Sequence, residues 1–222
     1  MKKVALIVAG GKGIRMNSDI PKQFLLLKGT PVLMRTIEKF SHLDKIVLVL
    51  PKTQIEYWNT ICEKYNFSIP HIVVEGGETR FHSVKNGLEK VVNNSIVAIH
   101  DGVRPLVSTK LIDNLINETK NGIGVIPVVL VKDSIRKVEE EKSTHVDRTD
   151  LYNVQTPQCF LNSDIKKAYT QEYSQKFTDD ASVFENNEGK IYTILGEEKN
   201  IKITTEEDLK IAEAIMENEK VN

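Results

Sequence analysis

The sequence predicts an α/β fold: a mostly parallel sheet with helices on both faces and a β-arm projecting from it. Three observations predict this. Short runs of small and β-branched apolar residues alternate with segments whose apolar residues recur at helical spacing. The first of those runs empties into a loop rich in glycine and cations. Residues 131–150 then break the alternation with a polar, period-two pattern.

Taken in order, Val4 to Val8 reads as a strand buried on both faces. Phe24 to Leu27 is a short apolar run, turned by Lys28-Gly29-Thr30-Pro31. Pro31 to Phe40 has helical spacing, with Val32, Leu33, Ile37 and Phe40 on one face. Ile46 to Leu50 is a second strand. Thr53 to Tyr65 is a helix whose stripe is Ile55, Trp58, Ile61 and Cys62, with core packing as the role of Trp58 and Cys62. Ile72 to Glu75, Ile96 to His100 and Ile123 to Val129 are strands, separated by helices over about His82–Val91 and Leu111–Thr119. Asn153 to Phe160 follows the arm. A helix near Ser163–Tyr173 and strands at Ile191–Leu195 and Asn200–Thr204 complete the sheet. Thr205, with Asp208 three places later, opens the final helix in a capping-box-like way. The alternation is that of a Rossmann-like fold, read as one domain over residues 1–222.

Within the arm, Val131 to Val138 alternates, a charged turn follows at residues 139–142, and His145 to Arg148 resumes an extended pattern. The arm has too few apolar residues to bury itself. A partner surface or solvent are both open as its covering.

Composition narrows the function. The chain has 222 residues, with 30 basic and 31 acidic ones, so no global basic field points to nucleic acid or an anionic membrane. Cys62 and Cys159 show no CxxC spacing, which fits a cytoplasmic setting. No apolar run is long enough for a membrane span. The five histidines lack HxH or HExxH spacing, which argues against a dedicated zinc site.

The chemistry starts at Ala9-Gly10-Gly11-Lys12-Gly13. Glycines let the backbone approach a ligand closely, and main-chain N–H groups at a strand's end can surround a phosphate. Arg15 and Lys22 supply cations in the same stretch. A P-loop is absent, because Gly13 is followed by Ile14-Arg15. A dinucleotide fingerprint is absent too: its third small position holds Met16, and the next strand ends in Pro51 rather than an acid.

The pattern Gly10-Gly11-x-Gly13-x-Arg15-Met16, continuing to Pro21-Lys22-Gln23-Phe24, resembles the nucleotidyltransferases that join a nucleoside triphosphate to a phosphorylated sugar or polyol. Four further segments each read as following a strand, so they are expected to converge on the loop. These are Gly76 to Leu88, Ile99 to Pro105, Asp147 to Phe160, and Thr178 to Ser182 with Asn200 to Thr204. Together they resemble the 2-C-methyl-D-erythritol 4-phosphate cytidylyltransferase family over nearly the whole chain.

That resemblance implies roles. Ala9, Gly10, Gly11, Gly13 and Gly102 would hold the nucleotide, Gly77, Glu78 and Ser83 would read cytosine, and Arg15 and Lys22 would be catalytic. Asp101, Arg104, Ser134, Arg148, Thr156, Thr178 and Lys202 would bind the phosphorylated polyol, and Lys202 would also reach the nucleotide phosphate. Asp101 would help place Mg²⁺, held mainly by nucleotide phosphates. Gly102-Val103 stands where the family has two alanines, which implies a wider loop there. Ser134 stands where the family commonly has Thr. The resemblance also implies a homodimer through the 131–150 arm. Rival readings are a ribitol-5-phosphate cytidylyltransferase, a non-catalytic nucleotide-binding module and an NAD-dependent oxidoreductase. The run Ser83 to Leu88 favours the first family over the ribitol enzyme.

Overall fold

The computed structural model describes residues 1–10 and 20–218. Its centre is an eight-stranded sheet. Strands β1 (Lys2–Val8), β4 (Lys45–Leu50), β5 (Ile72–Glu75) and β6 (Ser95–Asp101) run parallel, with β1 between β4 and β6. Beyond β6 lie β11 (Gln158–Leu161), β7 (Ile123–Leu130) and β10 (Tyr152–Val154), and β12 (Lys190–Leu195) pairs parallel to β7. Between β1 and β4, β2 (Leu26–Leu27) and β3 (Thr30–Pro31) make a small hairpin. Its turn residues Lys28 and Gly29 both have positive φ, the geometry that suits a two-residue hairpin loop.

Alternation along β1 explains the helices on both faces. Ala5, Ile7 and Ala9 point into one core, with residues of α1 (Val32–Glu38), α2 (Lys52–Lys64) and α4 (Thr109–Glu118). Val4, Leu6 and Val8 point into the other, with α3 (Arg80–Leu88), α5 (Asn162–Ala168) and α6 (Asp180–Asn186). Trp58 is a core residue, fully buried, with Nε1 donating to His71 Nε2 at 2.9 Å. The last helix, α7 (Glu206–Asn218), closes a third cluster with Leu27, Val32, Val103 and Ile203. Thr205 and Asp208 exchange the expected bonds: Asp208 Oδ2 accepts from Thr205 N at 2.8 Å, and Thr205 Oγ1 accepts from Asp208 N at 3.2 Å.

Three expectations need correction. Asn200 to Thr204 is not a strand: Ile203 N donates to Val103 O, but no ladder extends from that bond. The segment is pinned by side chains instead. Thr178 to Ser182 does not follow a strand. Asp179 caps α6, a helix whose seven residues are too few to show a clear period in sequence; its carboxylate accepts from Ser182 N and Ser182 Oγ accepts from Asp179 N. The helix expected near Ser163–Tyr173 ends at Ala168.

Strands β8 (Ile135–Glu139) and β9 (Lys142–Val146) form the arm as a separate two-stranded sheet, with exposed acidic residues at its turn. Among the described residues, no helix is long and apolar enough to cross a membrane.

Candidate active site

Val8 at the end of β1 pairs with Asp101 at the end of β6. The chain turns from one flank of β1 to the other between β5 and β6, so this is the switch point where doubly wound sheets leave a crevice. Two cavities open there.

The first, of about 210 Å³, is lined by Ala9 and Gly10 after β1, by Lys22 and Gln23, and by the β5–α3 turn. Gln23 is buried and donates from Nε2 to Ala9 O at 3.0 Å, which anchors the start of the glycine loop. Gly76 and Gly77 let the turn fold back on α3: a Cβ on Gly77 would meet His82 Cβ at 2.4 Å, and one on Gly76 would meet Ser83 Oγ at 2.9 Å. Ser83 Oγ accepts from Gly77 N at 3.1 Å. Thr79, not Ser83, caps α3. Gly77, Glu78 and Ser83 all line this cavity.

The second cavity, of about 270 Å³, is lined by Arg104, Gln155, Thr156, Gln158, Thr178 and Asp179 among others. The hydroxyl of Thr156 is deeply tied in. It accepts from Asp101 N at 3.1 Å and lies 3.0 Å from His100 Nδ1, while His100 Nε2 lies 3.0 Å from Arg104 O. One neutral tautomer satisfies all of these, with Thr156 donating to Nδ1 and Nε2 donating to the carbonyl. Burial pushes the His100 pKa down to about 4. Gln155 clamps the segment before Lys202: its Nε2 donates to Glu197 O at 2.8 Å and its Oε1 accepts from Glu197 N at 3.2 Å. Asn200 is buried, donates to Thr156 O at 2.8 Å, and its carbonyl accepts from Arg104 Nη1 at 2.8 Å.

Arg80, Asp101 and Lys202 line both cavities. Lys202 Nζ is 2.9 Å from Asp101 Oδ2, Arg80 Nε is 3.5 Å from Oδ1, and Arg104 Nε is 3.6 Å from Oδ2. Burial works to raise the Asp101 pKa, but Arg80, Lys202 and Arg104 outweigh it and hold the carboxyl well below the usual carboxylate range. Arg80 is fixed from behind: Nη1 and Nη2 donate to the two oxygens of Asp180 at 2.9 and 2.7 Å, and Tyr169 OH donates to the same carboxylate at 2.6 Å.

Sequence reasoning assigned no role to Arg80. Its signal was an arginine opening a helix three residues after a Gly-Gly pair, but its partner Asp180 lies far away in sequence. Gly11, Gly13 and Arg15 fall outside the described residues. Gly102 lines neither cavity, and the expectation of a wider loop there is corrected. Gly102 N donates to Val8 O at 2.9 Å, and a Cβ at this position would meet Ala9 Cβ at 2.8 Å, so glycine here brings the loop closer to β1. Ser134 and Arg148 lie exposed on the arm and line neither cavity, with Arg148 donating to Lys132 O. Among the described residues there is no group of three or more His, Cys, Asp or Glu that would hold a metal ion.

The family model for 2-C-methyl-D-erythritol 4-phosphate cytidylyltransferase matches residues 3–218. The chain belongs to that family. The 2-C-methyl-D-erythritol 4-phosphate cytidylyltransferase of Azobacteroides pseudotrichonymphae is 50% identical over 222 residues, covering 97% of this chain and 99% of the relative. The enzyme of the same name from Bacteroides fragilis is 50% identical over 219 residues, covering 97% of this chain and all of the relative (100%). Among solved structures, the 4-diphosphocytidyl-2C-methyl-D-erythritol synthase of Anaerococcus prevotii superposes with a TM-score of 0.80 at 32% identity, over 97% of this chain and 96% of that one. The family's glycine turn, its Asp-x-x-Arg-Pro strand end and its Gln-Thr-Pro-Gln run are the segments that meet in this chain around Arg80, Asp101 and Lys202.

Proposed function

We propose that the two cavities hold the two substrates of the family's reaction. That reaction is transfer of CMP from CTP to 2-C-methyl-D-erythritol 4-phosphate, with release of pyrophosphate, in isoprenoid biosynthesis. CTP occupies the cavity beside Gly77 and Ser83, where main-chain groups and one hydroxyl fit a pyrimidine. The phosphorylated polyol occupies the cavity beside Thr156 and Thr178. The observation that carries this assignment is the shared wall of Arg80, Asp101 and Lys202.

A phosphate oxygen of the polyol attacks the α-phosphorus; a new P–O bond forms as the α–β bridging bond breaks and pyrophosphate leaves with the electron pair. No general base is needed, because a phosphomonoester with a second pKa of about 6 is already a dianion in large part at pH 7. The work is to bring two polyanions together in line, by positioning and charge. Lys22 and Arg15 steady the triphosphate and the charge that builds on the leaving group. Lys202 and Arg104 hold the incoming phosphomonoester side. Asp101, fixed in its charged form, orients polyol hydroxyls.

Asp101 alone, among three cations, is no resident metal site. Among the described residues, Asp101 would be the carboxylate that helps hold a Mg²⁺ brought in with the triphosphate. Such an ion, when bound, neutralises phosphate charge. We further propose a homodimer through the arm. The strand neighbours of the arm leave Leu130 54% and Tyr152 47% exposed, and Val138 on the arm itself is 67% exposed, so these apolar side chains are open to cover by a second copy.

The test is pyrophosphate release with all four nucleoside triphosphates, paired with methylerythritol phosphate and ribitol 5-phosphate. CTP with methylerythritol phosphate should be fastest. Faster turnover of ribitol 5-phosphate, or equal use of ATP, would overturn the substrate assignment.

A further inference from the structure

We propose that Arg80 is a substrate-contacting residue of both cavities, locked by Asp180 so that its remaining N–H groups meet phosphate oxygens where the two substrates join. The inference rests on the proposed function and deepens it.

A guanidinium carries five N–H donors in a fixed plane. One donor each from Nη1 and Nη2 goes to Asp180, and Nε faces Asp101. The other two are left for a ligand. The side chain is 30% exposed, and the surface it exposes lines both cavities. Asp180 is completely buried at the start of α6 and takes a third hydrogen bond from Tyr169. A buried carboxylate with this many partners is a rigid anchor, which fits a fork that must not swing when anions arrive. The pairing also ties α3, from the nucleotide side, to α6, whose cap lies beside Thr178 on the polyol side. A residue that merely braced α6 would need no exposure to the first cavity.

Charge separates this residue from Lys202. Asp180 offsets much of the Arg80 charge, so Arg80 acts less as a free cation than as a set of aimed donors. Its contribution is alignment of the two phosphates, and its loss should be felt by both substrates at once.

Removing Arg80 alone would leave the Asp180 charge buried with the Tyr169 hydroxyl but without its cation, and the protein would be destabilised for that reason. The decisive variant is therefore the double substitution Arg80→Gln with Asp180→Asn, which removes both charges and leaves the Tyr169 hydroxyl an oxygen to donate to. Thermal unfolding, and kcat and KM for each substrate, are measured beside wild type. We expect a folded protein whose kcat/KM falls on the order of 10²-fold with respect to CTP and to the polyol phosphate alike. Arg80→Lys, which keeps the charge but not the fork, should restore only part of this. A folded double variant with wild-type kcat/KM for both substrates overturns the proposal, as does a loss confined to the polyol phosphate, which is what a brace of α6 would give. If the double variant fails to fold, full activity of Arg80→Lys overturns it and a large loss with unchanged unfolding temperature supports it. Wild type showing no pyrophosphate release with any substrate pair would instead sink the proposed function.

Discussion

Lys202 Nζ stands 2.9 Å from Asp101 Oδ2, on the line where the two cavities meet. The Lys202 side chain remains 42% exposed, so it is both paired and reachable by an anion. A compact, strongly hydrated charge on a flexible stem can leave a carboxylate for a phosphate without rearranging its neighbours. Lys202→Ala should lower kcat/KM on the order of 10²–10³-fold, with most of the loss in KM for the polyol phosphate. Steady-state kinetics with each substrate varied in turn would show it, and an unchanged KM for the polyol phosphate would place Lys202 on the nucleotide side only.

Lys22→Ala should behave differently. Lys22 opens the short 3₁₀ turn Lys22–Phe24 and lines the first cavity alone. Charge on the leaving pyrophosphate grows in the transition state, so a cation here acts mainly on kcat. A fall on the order of 10²–10³-fold in kcat is expected, with little change in CTP affinity measured by calorimetry. Near-normal turnover would remove Lys22 from the reaction.

His100 makes stability depend on pH. Its folded pKa is about 4 against an ordinary 6.5, and burial is the main cause. Between those values the unfolded chain takes up a proton that the folded chain refuses. Stability should therefore be full above pH 6.5 and fall as pH drops toward 4, by roughly 3 kcal/mol across the window. Asp101 acts in the same direction but only below its ordinary 3.8. Urea midpoints at pH 7 and 4.5 measure the slope. His100→Gln should flatten it, whatever it does to stability at pH 7; an equal slope in both proteins would assign the effect elsewhere.

Much of this was legible before any coordinates. The strands of the parallel core are continuous apolar runs, and their helices carry clear stripes, so β1, β4, α2 and α4 stand close to where the pattern puts them. Ligand-facing segments at strand ends follow from topology, and Asp101, Lys202, Ser83 and Thr156 do line the cavities. What failed was non-local. The Lys202 segment looked like a strand because Ile201 and Ile203 alternate around a cation, yet Gln155 and Asn200 hold it with side-chain bonds instead. Arg80 gained its meaning only from Asp180, a hundred residues on.

Gly102 is the third such case, and it can be tested. Gly102-Val103 in place of two alanines suggested a wider loop, but the Ala9 side chain already fills the space beside Gly102. Gly102→Ala would set a Cβ 2.8 Å from Ala9 Cβ and 3.0 Å from Leu33 Cδ1. Overpacking of this kind costs about 1–3 kcal/mol. Ala9→Gly in the same chain should recover much of the loss in urea unfolding. Full stability of Gly102→Ala alone would mean that β1 and the β6 end part easily.

The arm carries the last prediction. Arg148 and Ser134 are expected to serve the polyol phosphate, yet neither lines a cavity of its own chain. Arg148 is exposed near the base of the hairpin, a few residues before β10 and Thr156. The hairpin's apolar residues are few, Ile135 paired with Val146 and an exposed Val138, so it has no core of its own to hold it. Its acidic turn at Glu139 to Glu141 is exposed, where it stays clear of bound anions. A second copy that covers Val138, Leu130 and Tyr152 would give the arm its support and bring Arg148 to the partner's site. Complementation decides between cis and trans. Lys22→Ala and Arg148→Ala, each inactive alone, are mixed under conditions that exchange subunits, with exchange followed by mass-tagged chains. If Arg148 acts in trans, a mixed dimer has one site with both residues intact and one with neither, and a quarter to a half of the wild-type rate is the order of recovery expected when mixing is random or complete. No recovery despite proven exchange would mean that Arg148 serves its own subunit, or that the arm does not cross.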